Sequence, residues 1–189
     1  MLIVGLGNPG KQYEKTIHNM GFMVTDCLLE KLGRKLDKSG CKAKYCVEYI
    51  GGKKQVIAQP QTYMNLSGES VRELMGANKF APEEVLVVYD DIDLPLGNVR
   101  VRREGSGGSH NGMKNIVAEC NTTSIPRVRI GVGDERGSRE LKDYVLSKVG
   151  SEKMRILNTV FDKVAEGIWQ YMVDGDFDAL MRRLNGKQA

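Results

Sequence analysis

Apolar and polar positions fall into blocks that read alternately as strands and helices. Leu2-Ile3-Val4-Gly5 is a short continuous apolar run, as expected of a buried strand. The polar, glycine-rich residues 6–15 read as a loop. From Thr16, placed as an N-cap, Met20, Val24, Cys27, Leu28 and Leu32 recur at helical spacing, and Gly33 marks the stop. Tyr45, Val47 and Tyr49 alternate as on a strand. Gly51-Gly52 predicts a hairpin turn, and Gln55-Val56-Ile57-Ala58 the return strand. Helical spacing resumes after Asn65, with Val71, Leu74 and Met75 on one face.

Val85-Leu86-Val87-Val88-Tyr89 is apolar throughout, the pattern of a strand covered on both faces. Residues 98–103 alternate and predict a half-exposed strand. A helix after Asn111 carries Met113, Ile116 and Val117 inward, and residues 127–132 form a further strand. Residues 140–148, 151–173 and 177–184 read as helices. There is no internal repeat and no low-complexity segment. This mixed order predicts an α/β fold: a single domain over residues 1–189, with a twisted mixed β-sheet and helices on both faces.

Composition narrows the classes. With 41% hydrophobic residues in 189, the chain can bury a full core. No apolar run approaches the roughly 20 residues of a membrane helix, and the start lacks a signal-peptide pattern. A soluble cytoplasmic protein without a membrane partner is expected. The four cysteines, Cys27, Cys41, Cys46 and Cys120, lack zinc-ligand spacing, so reduced thiols and no metal are expected. Net charge is only +4, but arginines cluster: Arg100, Arg102 and Arg103, then Arg127 and Arg129, then Arg136, Arg139 and Lys142. On strands, Arg100 and Arg102 share a face, as do Arg127 and Arg129. Such stripes suit either a solvated face or nucleic-acid phosphate.

The candidate chemistry lies at strand ends. Gly5-Leu6-Gly7-Asn8-Pro9-Gly10 matches a dinucleotide fingerprint in spacing. Pro9, however, sits where a phosphate-binding helix needs free N–H groups, and Glu30 falls inside a helix rather than at a second strand's end. A tight exit turn exposing Asn8 is the better reading. The two histidines, His18 and His110, are each followed by Asn. Asp90 ends the buried strand, where α/β sheets bind ligands. If the first strand neighbours that one, Asn8, His18 and Asp90 converge into an imidazole–carboxylate–amide set suited to general-base hydrolysis. Asp91 and Asp93 are adjacent loop acids. Gly105 to Gly112 forms a flexible run that can close over substrate or bind phosphate, with Asn111 as a donor and acceptor at its end. Asn65 suits a helix N-cap or a binding amide.

Jointly these segments resemble the bacterial-type peptidyl-tRNA hydrolase family. The matching stretches are Val4 to Gly10, Tyr13 to Gly21, Tyr63 to Gly68, Asp90 to Pro95, Gly107 to Gly112 and Arg127 to Gly133, in family order. Ser109 stands before His110 where the family more usually has Gly. The resemblance implies a monomeric, cofactor-free esterase that cleaves the ester between a peptide and the 3′ ribose of tRNA, with peptidyl-tRNA as its partner. It implies that His18 is the general base and that Asp90 accepts from its other ring nitrogen. Asn8 would recognise the acylated amino end. Tyr13, Tyr63, Asn65 and Asn111 would bind the 3′ terminus and peptide backbone. Arg102 and Arg129 would contact tRNA phosphate. Two alternatives share parts of the pattern: a non-catalytic RNA-binding relative on the same fold, and a nucleotide-dependent oxidoreductase.

Overall fold

The structure is a computed structural model and describes residues 1–133 and 135–188. Four parallel strands form its centre. β1 (Leu2–Gly5) lies between β4 (Lys53–Pro60) and β5 (Val85–Asp91), and β5 pairs in turn with β7 (Arg127–Gly131). Antiparallel strands finish both edges. β2 (Lys38–Gly40) and β3 (Ala43–Ile50) extend one side, and β6 (Asn98–Arg102) and β8 (Gly186–Lys187) the other. The order is β2-β3-β4-β1-β5-β7-β6-β8. All seven residues of β5 are buried, as its unbroken apolar run predicts for a strand covered on both faces.

Helices cover both faces. α1 (Met20–Lys31), α4 (Leu141–Val145), α5 (Ser151–Asp174) and α6 (Phe177–Leu184) enclose one core with Ile3, Leu86, Val88 and Val128. α2 (Ser67–Asn78) and α3 (Asn111–Cys120) enclose the other with Leu2, Val4, Val85 and Val87. The mixed sheet and two-sided helix packing agree with the sequence reading. No helix among the described residues is long and apolar enough to cross a membrane.

Several local expectations need correction. Thr16 does not cap a helix. Its hydroxyl donates to the Tyr13 carbonyl at 2.8 Å, a tight turn occupies Ile17–Asn19, and α1 begins only at Met20. Asn65 is not an N-cap either; it lies inside a turn over Met64–Leu66, and α2 starts at Ser67. The helix expected over 140–148 is only five residues long, Leu141–Val145. β2 and β8 are short, polar edge strands without hydrophobic alternation.

The turn before α1 is fixed by close backbone approach. A Cβ on Gly21 would lie 2.2 Å from both the Leu6 nitrogen and the Val88 oxygen. Only glycine lets the first turn of α1 rest directly on the ends of β1 and β5. That contact carries His18, three residues earlier, over the carboxyl end of β5.

Candidate active site

Because β1 and β5 are neighbours, their carboxyl ends open into one cleft of about 690 Å³. Asn8, Tyr13, His18, Tyr63, Asn65, Asp90, Arg102, Asn111 and Arg129 all line it. The structure thus brings together every site residue that the family resemblance implied, whereas Asp93, Arg100 and Arg103 do not line the cleft. His110 joins them as a central member that sequence reasoning did not assign.

Asp90 is buried and receives both imidazoles. His18 Nδ1 lies 3.1 Å from each carboxylate oxygen, and His110 Nε2 lies 3.2 Å from Oδ1. Burial alone would raise the Asp90 pKa, but the two histidines outweigh it and hold the carboxyl well below the usual range. Asp90 is therefore an anion. Burial opposes protonation of His18, yet the Asp90 charge and hydrogen bond prevail and raise its pKa above the ordinary value. With Nδ1–H donated to Asp90, His18 presents Nε2 to the cleft as a lone-pair base.

The amides divide into two sets. Asn19 grips the Asn8 backbone from both sides: its Oδ1 accepts from the Asn8 N–H at 2.9 Å, and its Nδ2 donates to the Asn8 carbonyl at 3.0 Å. Asn8 Oδ1 in turn accepts from the Met64 N–H at 2.8 Å, which leaves its Nδ2 for the cleft. Asn115 Oδ1 accepts from the Gly68 N–H at 2.7 Å and ties α3 to the start of α2. Asn65 and Asn111 are exposed, and their side chains hold no hydrogen bond among the described residues. Tyr13 and Tyr63 stand edge to face at the mouth, with ring centroids 6.2 Å apart.

The arginine stripe expected on β7 is not one. Arg127 is only 2% exposed. Its guanidinium donates to the carbonyls of Ile125 (2.8 Å), Ser106 (2.9 Å) and Thr123 (3.2 Å), and the Tyr89 phenol lies near it. An arginine is buried here because these acceptors replace its hydration. Arg129 is half-buried and ion-paired with Asp91. Arg102 is exposed at the cleft edge, and Arg103 reaches away to Asp178 at 2.7 Å. The Asp93 N–H donates to Asp91 Oδ1 at 2.9 Å, so Asp91 shapes the turn after β5 as well as holding Arg129.

His18, Asp90 and His110 have donor atoms within 4.8 Å of one another, close enough to be tested as a metal site. The proton positions oppose that reading. The Met113 N–H points at His110 Nδ1 (3.2 Å), so that nitrogen keeps its lone pair and the ring proton sits on Nε2, against Asp90. A metal ligand at that place would need a deprotonated Nε2 and nitrogen–metal bonds of about 2.0–2.1 Å. The cluster is a hydrogen-bonded triad. The dinucleotide reading also fails on geometry: no helix follows β1 directly, and the turn after it is filled by Asn8, Asn19 and the first turn of α1.

The model of the family described as peptidyl-tRNA hydrolase matches residues 2–189. The chain belongs to the peptidyl-tRNA hydrolase family. It is 44% identical over 185 residues to the peptidyl-tRNA hydrolase of Alkaliphilus metalliredigens, covering 98% of this chain and 99% of the relative. To that of Staphylococcus aureus it is 42% identical, covering 98% and 97%. Among solved structures, a crystal structure of peptidyl-tRNA hydrolase from Acinetobacter baumannii superposes with a TM-score of 0.92 at 32% identity, covering 100% of this chain and 96% of that one. The family assignment agrees with the resemblance carried by the sequence motifs.

His110, Tyr89 and Arg127 form the support that sequence reading missed. The His110 ring lies 4.7 Å from that of His18 and 4.7 Å from that of Tyr89. One signal was present. His110-Asn111 repeats the His18-Asn19 pair, and two histidines with the same neighbour invite pairing in space.

Proposed function

We propose that this member of the peptidyl-tRNA hydrolase family cleaves the ester between a peptide, or an N-acylated amino acid, and the 3′ end of tRNA, using His18 as general base. The observation that carries this reading is His18 itself: Nδ1 is engaged by a buried carboxylate, and Nε2 is open to a cleft lined by amides.

Water approaching Nε2 loses a proton to His18 as its oxygen bonds to the ester carbonyl carbon. The C–O bond to the ribose then breaks, and the imidazolium returns the proton to the departing 3′ oxygen. Asp90 holds the ring orientation and stabilises the transient cation. Asn8 Nδ2, Asn65 and Asn111 bind backbone-like amides and carbonyls, so peptide sequence matters little. Tyr13 and Tyr63 flank the 3′ terminus, and Arg102 and Arg129 meet tRNA phosphate. A monomer belongs to this reading, as the family resemblance implies. Peptidyl-tRNA arises at the ribosome, so the reading places the protein in the cytoplasm.

The test is release of N-acyl-amino acid from N-acyl-aminoacyl-tRNA, with EDTA present. The parental protein should turn over, and His18→Ala should lose about 10²–10⁴-fold while still binding tRNA. Comparable turnover by the two proteins removes His18 from the mechanism. Tight RNA binding without hydrolysis by either would favour the non-catalytic relative.

A further inference from the structure

The geometry points to His110 as a positioning residue for the hydrolytic step, whose Nε2–H holds the Asp90 carboxylate square to His18. This inference rests on His18 being the base.

Three observations carry it. First, among the described residues Asp90 has two side-chain donors, one from each histidine. His18 Nδ1 is equidistant from both oxygens at 3.1 Å, while His110 Nε2 binds Oδ1 alone at 3.2 Å. A carboxylate bound by His18 alone could rotate about its own axis and carry the imidazole with it. The second donor pins that rotation. Second, the His110 proton is fixed from behind, because the Met113 N–H at the start of α3 occupies the Nδ1 lone pair. His110 therefore serves as helix cap and carboxylate donor at once, and one backbone N–H selects its tautomer. Third, the ring is caged. It is 7% exposed, the rings of Tyr89 and His18 each lie 4.7 Å from it, and the buried Arg127 lies beside Tyr89.

The charged and titratable groups around His110 are Asp90, Asp91 and Tyr89 from β5, His18 from the turn before α1, and Arg127 and Arg129 from β7. Burial and the neighbouring His18 oppose a charge on His110, and Asp90 and Asp91 favour one. Burial prevails, and the His110 pKa falls below its ordinary value. A neutral His110 has a definite effect on the base. Its N–H dipole stabilises the Asp90 anion and places a positive end near His18. Both effects work against protonation of His18. Removing that donor should leave Asp90 a stronger acceptor and raise the pKa of His18.

Two variants and one spectrum test the proposal. His110→Leu keeps the volume and removes the donor, whereas His110→Gln can keep an N–H donor where Nε2 stood. We expect His110→Leu to lower kcat about tenfold with little change in KM for N-acyl-aminoacyl-tRNA. We expect its acid limb to move up by roughly half a pH unit. His110→Gln should recover most of the rate and restore the limb. Imidazole ¹⁵N shifts of the parental protein should report His110 as neutral with Nε2–H throughout the active pH range, while His18 titrates. A parental rate and limb in His110→Leu overturns the proposal, as does equal impairment of the two variants with an unmoved limb. A cationic His110 in the spectrum overturns it even if neither variant folds. His18→Ala in the same assay separates the two readings. If it is inactive and His110→Leu is parental, only the positioning role fails; if it is active, the base assignment fails first.

Discussion

The segments around His18 and around His110 carry the same pair, His followed by Asn, and divide it in opposite ways. In the first, the histidine keeps a ring nitrogen open to the cleft, and Asn19 is fully engaged with the Asn8 backbone. In the second, the histidine is engaged at both nitrogens, by Asp90 and by the Met113 N–H, and Asn111 is exposed and open. Each segment thus supplies one group that builds the site and one that faces substrate. The difference comes from the next element. α1 presses its first turn onto β1 and β5 and pulls Asn19 inside. α3 begins one residue after His110 and takes that ring as its cap. Residue type does not separate the roles; the state of the second hydrogen-bonding atom does.

Asp90 joins the two segments, so its replacement should have the largest effect. In Asp90→Asn, His18 loses the acceptor that fixes its tautomer and the charge that supports its cation. We expect a fall in kcat of roughly 10²–10³-fold. The sign of the pH effect follows from the balance of terms. Burial depresses the His18 pKa and Asp90 raises it, with Asp90 prevailing. Without the charge, burial acts unopposed, the pKa falls, and the acid limb of the profile moves to lower pH. This direction is opposite to that expected for His110→Leu. A pH–rate profile of Asp90→Asn with an unmoved limb would leave His18 uncoupled from this carboxylate.

The divided roles of the two asparagines can be broken next. Asn19→Ala removes both clamps on the Asn8 backbone in a buried site and should cost about 2–3 kcal/mol of stability, read from the denaturant midpoint. Asn111→Ala should leave stability within about 0.5 kcal/mol and lower kcat/KM about tenfold, the worth of one hydrogen bond to the substrate. If the two variants exchange these signatures, or share one, the comparison between the segments does not hold.

How much of this the sequence carries depends on the kind of signal. β1 and β5 were legible because burial on both faces demands unbroken apolar runs. Their adjacency, which the site requires, was only conditional, and Gly21 packing on Leu6 and Val88 realises it. β2 and β8 left no signal because short edge strands of Lys, Ser and Gly have no face to bury. His18 and Asp90 were legible by their positions at the ends of elements. His110 was not, because a glycine-rich run reads as mobile until α3 is seen to start on it. Arg127 misled for a different reason. Alternation with Arg129 placed both on an exposed face, but three loop carbonyls and the Tyr89 phenol surround the inner guanidinium, an arrangement no local pattern encodes.

The smallest expected effects belong to the arginines, where the same distinction between engaged and open groups applies. Arg102 is exposed at the cleft edge, and among the described residues it makes one hydrogen bond, to the Val101 carbonyl at 3.0 Å, and has no carboxylate partner. Arg129 also lines the cleft, but its charge is matched by Asp91. A phosphate near Arg102 meets a cation with no carboxylate partner among the described residues, whereas one near Arg129 must compete with a carboxylate already in place. Arg102→Gln should therefore weaken tRNA binding a few-fold at low salt and reduce the slope of log K against log[salt] by about one unit. Arg129→Gln should change that slope by less. It should also destabilise the fold, because Asp91 is left buried without its partner. A minimal substrate lacking the tRNA body should be hydrolysed by Arg102→Gln at nearly the parental rate, since His18, Asp90 and the amides are untouched. Equal slope changes for the two variants would mean that Asp91 releases Arg129 when tRNA binds, making that ion pair part of the RNA-binding surface.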